Sequence, residues 1–156
     1  VLAAAYPDAS PGKVHEMVWT DMFRRICATA AELSATKGAG GWLYRFDLPV
    51  NKMDGEHVGV PHACEMAFTF NTVAKPSSNA YTFHDIADPL VQQVGRDWSS
   101  MVIAMARSGD PNAPQASSLP FWPQYEPEQR HCLCIDAPFR VAADLDAAHR
   151  SLWAST

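Results

Sequence analysis

Apolar residues recur every fourth position in the first part of the chain: Val14, Val18, Met22, Ile26 and Ala30, with Leu33 closing the stripe. That period predicts an amphipathic helix whose stripe faces a core. Ser10-Pro11 opens it with a hydroxyl cap and a first-turn proline, and Lys37-Gly38 stops it. Asp21 has capping chemistry too, so one bent helix and two short ones both fit the pattern. Beyond the glycines at 38, 40 and 41, residues 42–47 (Trp-Leu-Tyr-Arg-Phe-Asp) form a short aromatic and apolar run. It reads as a buried strand. Helix, glycine turn and buried strand make an αβ unit, so the fold class is α/β with a mainly parallel sheet.

The pattern continues with a loop from Leu48 to Pro61 and a short helix between Glu65 and Phe70. A second long helix spans 88–107, capped by Asp88 and ended by Gly109, with Leu90, Val94, Trp98, Met101 and Met105 on one face. Residues 110–128 hold five of the twelve prolines, which rules out regular structure there. Phe121, Trp122 and Tyr125 predict that this loop is packed down and is not a free linker. Two short strands follow, Leu133–Ile135 and Phe139–Val141, and then a final helix over 144–153 with Asp144 as its cap.

Composition narrows the function classes. A net charge of −5 with scattered Lys and Arg argues against nucleic acid. No apolar run reaches the roughly eighteen residues of a membrane span. The first five residues lack the basic start of a signal peptide, and Tyr6-Pro7-Asp8 cuts them short. The chain begins without Met, so its first residue reads as an internal point of a longer protein and its compartment stays undecided. Four cysteines are too few for a disulfide scaffold. Cys132 and Cys134 lie on one face of a strand with His131 on the other, and no second pair stands at zinc spacing, so no metal site is expected.

His62, on the loop after strand 42–47, is placed where an α/β-hydrolase carries its base histidine. An imidazole suits that role because it both accepts and donates a proton near neutrality. The surrounding run, Gly59-Val60-Pro61-His62-Ala63-Cys64-Glu65-Met66-Ala67-Phe68-Thr69-Phe70, resembles the histidine motif of type-B carboxylesterases and cholinesterases. Three further blocks resemble the same family in the same order. They are Phe23–Glu32 leading into Leu43–Phe46, then Gly109-Asp110-Pro111-Asn112 with Leu119–Tyr125, and last Asp144–Trp153.

The resemblance implies that residues 1–156 are the C-terminal portion of one α/β-hydrolase catalytic domain, incomplete alone, with the histidine loop at 59–65. It makes His62 the triad histidine and Glu65 a supporting residue that orients the loop. The implied activity is hydrolysis of a small carboxylic ester, with no cofactor. The partner it implies is the N-terminal portion of the same domain, which carries the serine and the acid. No Gly-x-Ser-x-Gly occurs in this chain, and Asp47 and Asp54 are poor substitutes for the acid. Ala63 stands where the family has glycine, so a positive φ there would be strained. Cys27 falls where animal relatives place a disulfide cysteine, but the last helix offers no partner. The style is bacterial, and Cys27 is expected to be a free thiol. A catalytically silent cholinesterase-like binding module is the alternative reading, and the kept histidine weighs against it.

Overall fold

The computed structural model describes residues 1–50, 59–75, 84–112 and 119–154. They divide into two compact units. Unit 1 contains Val1–Leu43, Pro123–Cys132 and Ala142–Thr156, and unit 2 contains Tyr44–Trp122 and Leu133–Val141.

In unit 1 a short α1 (Leu2–Ala5) buries Leu2 and packs on α2 (Pro11–Thr36). Ser10 caps α2 as its sequence predicts, its Oγ accepting from Lys13 N–H at 3.2 Å. The helix is continuous, and Asp21 sits inside it and caps nothing. Its orientation reverses the expected one. Val18, Met22, Ile26 and Leu33 are between 44% and 64% exposed, as are Trp19 and Phe23, while Asp21 is the one buried residue. The inward line is polar for a reason found far along the chain. The Asp21 carboxylate accepts from Nδ1 of His149 and Nε1 of Trp153, each at 2.8 Å, on the final helix α5 (Ala147–Ala154). Arg24 meets Asp146 at 2.8 Å, and Arg130 meets Glu32 at 3.2 Å while donating to the Tyr125 hydroxyl. A four-residue period marks which side chains seek an apolar partner, but it does not say where that partner is. The helix α5 starts at Ala147, later than expected, because Asp144 takes a left-handed backbone and gives its carboxylate to Arg150.

The described strands form a three-stranded sheet, order β1-β2-β3. Strand β1 (Tyr44–Phe46) runs parallel to β2 (His131–Ile135), with Tyr44 opposite Leu133 and Phe46 opposite Ile135. The parallel pairing is as predicted, but the buried strand is β2, whose Leu133, Cys134 and Ile135 are fully buried. Strand β1 is shorter than 42–47 and, among the described strands, lies at the sheet edge with Tyr44 41% exposed. The third strand, β3 (Arg140–Ala143), follows a tight link through Asp136–Phe139. Among the described residues all four cysteines are free thiols, with Cys27 exposed and the other three buried.

On one face of β1, Tyr44 and Phe46 meet the helices. Phe46 lies 5.0 Å from Phe68 of α3 (Met66–Thr69), and Tyr44 lies 4.7 Å from Trp98 of α4 (Pro89–Ser108), ring to ring. Asp88 caps α4 through Leu90 N–H at 2.8 Å, and Gly109 closes it in the left-handed region. The buried face runs through Val91, Val94, Trp98 and Met101, and Leu90 is turned out at 53% exposure. A β-carbon on Gly95 would meet Val73 Cγ1 at 2.7 Å, so that glycine lets α4 close on the segment after α3.

Replacing Asp21 with Ala removes a buried acceptor that both the imidazole and the indole N–H of α5 use. Two lost partners of this kind are expected to cost about 2–3 kcal/mol. Urea unfolding of the full-length protein checks this: its midpoint should fall clearly, and an unchanged midpoint would mean the seam does not bind α5.

Candidate active site

The residues between Pro61 and Met66 form two tight turns that lead into α3. Cys64 N–H donates to Pro61 O at 3.3 Å, and Met66 N–H donates to Ala63 O at 3.2 Å. His62 is exposed at the tip, while two residues on Cys64 is 1% exposed, and Ala67 and Phe68 are buried behind it. The turn is therefore an exposed imidazole on an apolar plug. Ala63 has φ +65°, a left-handed conformation that an L side chain resists. The glycine that the resembled motif carries at this place has a plain backbone reason.

Glu65 is half-buried, and it holds the turn through its main chain. Its carbonyl accepts from both N–H and Oγ1–H of Thr69, at 2.9 and 3.1 Å, and the Thr69 hydroxyl in turn accepts from Trp98 Nε1 at 2.9 Å. Threonine four residues after Glu65 is a readable signal for back-bonding to a helix carbonyl. Its second partner, Trp98, lies 29 residues on and leaves no local trace.

The other ionisable candidates have structural employment. Asp47 takes Arg45 Nε at 2.5 Å and Arg140 at 3.4 Å, an ion-pair cluster beside the sheet. Asp54 and His57 lie outside the described residues. His84 is 2% exposed; its Nε2 lies 3.2 Å from Leu48 O, which it can only reach as a donor. Its ring stands edge-on to Phe46 and Phe68, contacts that come from the sheet and α3 and not from its own sequence neighbours. His149 is likewise drawn inward, by Asp21. Cys64 adjoins the candidate histidine's turn but is no nucleophile. Burial, and then the charge of Glu65, push its thiol up to about 12. A cavity of about 280 Å³ in unit 1, lined by residues such as Asp21, Tyr125 and Trp153, includes none of the His62 turn. No group of side chains able to hold a metal occurs among the described residues, and no described helix is long and apolar enough to cross a membrane.

The described part of the proline-rich loop is packed through Trp122 and Tyr125, as their sequence predicts, whereas Phe121 is turned out at 73% exposure. Asn112 Oδ1 accepts from Trp122 N–H at 2.7 Å and Asn112 Nδ2 donates to Trp122 O at 2.8 Å. This two-way clamp sets the 5%-exposed Trp122 against Trp98 and Tyr44, with ring centroids 5.9 and 6.4 Å apart.

Ala63→Gly should stabilise the protein by up to about 1 kcal/mol. Relief of the left-handed alanine exceeds the extra chain entropy that glycine brings to the unfolded state. A higher melting temperature of the full-length variant checks this, and a lower one would mean the turn does not hold the positive φ.

The sequence model of the carboxylesterase family matches residues 5–153. Among solved structures, a carboxylesterase of Geobacillus stearothermophilus superposes with a TM-score of 0.75 at 23% identity, over 94% of this chain and 29% of its own. A thermophilic PNB esterase gives 0.75 and 23%, over 96% and 29%. An esterase from Clostridium hathewayi, described as hydrolysing aliphatic aromatic polyesters, gives 0.65 and 17%, over 94% and 27%. The chain thus spans under a third of the length of these structures, and within that span it has their α/β-hydrolase fold. A family match over almost every residue, with the ordered motifs seated on the strands, turns and helices just described, places this chain in the carboxylesterase family.

Proposed function

We propose that this chain is the C-terminal, histidine-bearing portion of a serine ester hydrolase, and that His62 is its catalytic base. The reading rests on one observation: His62 is exposed on a turn whose Cys64, and whose following Ala67 and Phe68, are buried in the core. That combination holds an imidazole in place and leaves its ring accessible. In this reaction a serine outside residues 1–156 attacks the carbonyl carbon of a carboxylic ester as His62 takes the serine proton. The tetrahedral intermediate collapses, the alcohol leaves with that proton, and an acyl-enzyme remains. His62 then draws a proton from water, whose oxygen attacks the acyl carbon, and returns the proton to the serine as the acid departs. A carboxylate outside this chain would orient the ring.

The partner in this scheme is the N-terminal portion of the same domain. The apolar stripe of α2, Val18, Met22, Ile26 and Leu33, supports that part of the reading. A helix of 26 residues that turns these side chains outward has a face suited to burial against further protein.

In the full-length protein, His62→Ala should lower turnover of a short-chain p-nitrophenyl ester by about 10³-fold or more, because triad members act as a unit. Circular dichroism should stay unchanged. Turnover within tenfold of wild type would remove His62 from the mechanism. A fluorophosphonate probe should label the full-length protein at a serine outside residues 1–156. Failure to label any serine would turn the assignment to the catalytically silent binding module.

A further inference from the structure

The turn that carries His62 ends in α3, a helix of only four residues. A helix that short is not held by its own hydrogen bonds. Cys64 and Phe68 press it onto the core from one side, which sets its depth. Apolar contact is non-directional, however, and leaves the segment free to roll about the line joining those two side chains. A directional restraint has to come from hydrogen bonds.

Thr69 supplies two in series. Its hydroxyl donates to Glu65 O at 3.1 Å and accepts from Trp98 Nε1 at 2.9 Å, while its N–H donates to the same carbonyl at 2.9 Å. The single hydroxyl proton and one lone pair are both used in the way their chemistry allows. The far end of the chain of bonds is buried. Trp98 is 3% exposed and stands between the rings of Tyr44 on β1 and Trp122, at 4.7 and 5.9 Å. From Glu65 the restraint passes back through the Met66 N–H to Ala63 O contact to the residue next to His62.

We propose that Thr69 is a positioning residue for the base: through Trp98 it fixes the roll of α3, and with it the direction in which His62 presents its imidazole. This rests on His62 being the base. Misplacing a reacting group by about 1 Å costs rates up to about a hundredfold without weakening substrate binding. The loss therefore belongs in kcat and not in KM.

The test uses the full-length enzyme with Thr69→Val, which keeps the shape and removes the hydroxyl, and with Thr69→Ser, which restores it. The nitrogen-15 tryptophan signals report the tether directly. In Thr69→Val the Trp98 indole N–H should move upfield and exchange faster, and kcat on a p-nitrophenyl ester should fall about tenfold with KM within twofold. Thr69→Ser should recover both the signal and most of kcat. Trp98→Phe, which keeps a ring but removes the donor, should lower kcat in the same direction and serves if the valine variant folds poorly. A valine variant with wild-type kcat, a serine variant as slow as the valine one, or an indole signal that does not move would each overturn the proposal. His62→Ala run alongside separates the two ideas. Activity lost in that variant but kept in Thr69→Val refutes the positioning role alone, whereas activity kept in His62→Ala refutes the base assignment and the positioning role with it.

Discussion

Residues i and i+2 of a strand project to one face, and in β1 these are Tyr44 and Phe46. Phe46 receives Phe68 and the edge of His84, and Tyr44 receives Trp98 and Trp122. Because β1 is hydrogen-bonded in parallel register to the buried β2, its two rings are fixed relative to the sheet. The helices α3 and α4 then have few ways to settle on them. The His62 turn inherits its place from this contact, since it is the entry to α3, and the Asn112 clamp holds the third ring of the group. The rest of unit 2 can be read as what is needed to keep those aromatic rings together.

In unit 1 the ordering principle is electrostatic. A carboxylate as buried as Asp21 is tolerated only when its charge and lone pairs are met. His149 and Trp153 of α5 meet them, so α5 is recruited to α2 by a polar demand and not by an apolar stripe. The neighbouring pairs Arg24–Asp146 and Arg130–Glu32 extend the same seam but are partly solvated and contribute less. A helix that gives its polar side to its own unit leaves its apolar side outward, which is the condition α2 is in.

The turn itself combines an exposed imidazole, a strained Ala63 and a thiol made inert by burial. Backbone strain at a turn persists only when the surroundings over-determine it. Here the plug of Cys64 and Phe68 fixes depth and the Thr69–Trp98 bond fixes roll. Two different kinds of force thus hold the same few residues, and neither alone would do so.

Much of this was legible in the chain itself. Ser10 and Asp88 cap helices and Gly109 ends one because such signals act over three or four residues, within reach of the sequence neighbours that answer them. The glycine turn after α2 foretold the parallel strand, and alanine in place of the resembled motif's glycine pointed to the backbone strain found at Ala63. What depended on distant partners could not be read this way. Which face of α2 points inward was decided by His149 and Trp153, more than a hundred residues away. Whether His84 is at the surface was decided by Phe46 and Phe68, and which strand is the buried one by the order of the sheet. Local sequence determines elements and their ends because hydrogen bonds within a turn are short in sequence. Burial is a property of what lies across the gap, and only the tertiary structure brings those residues together.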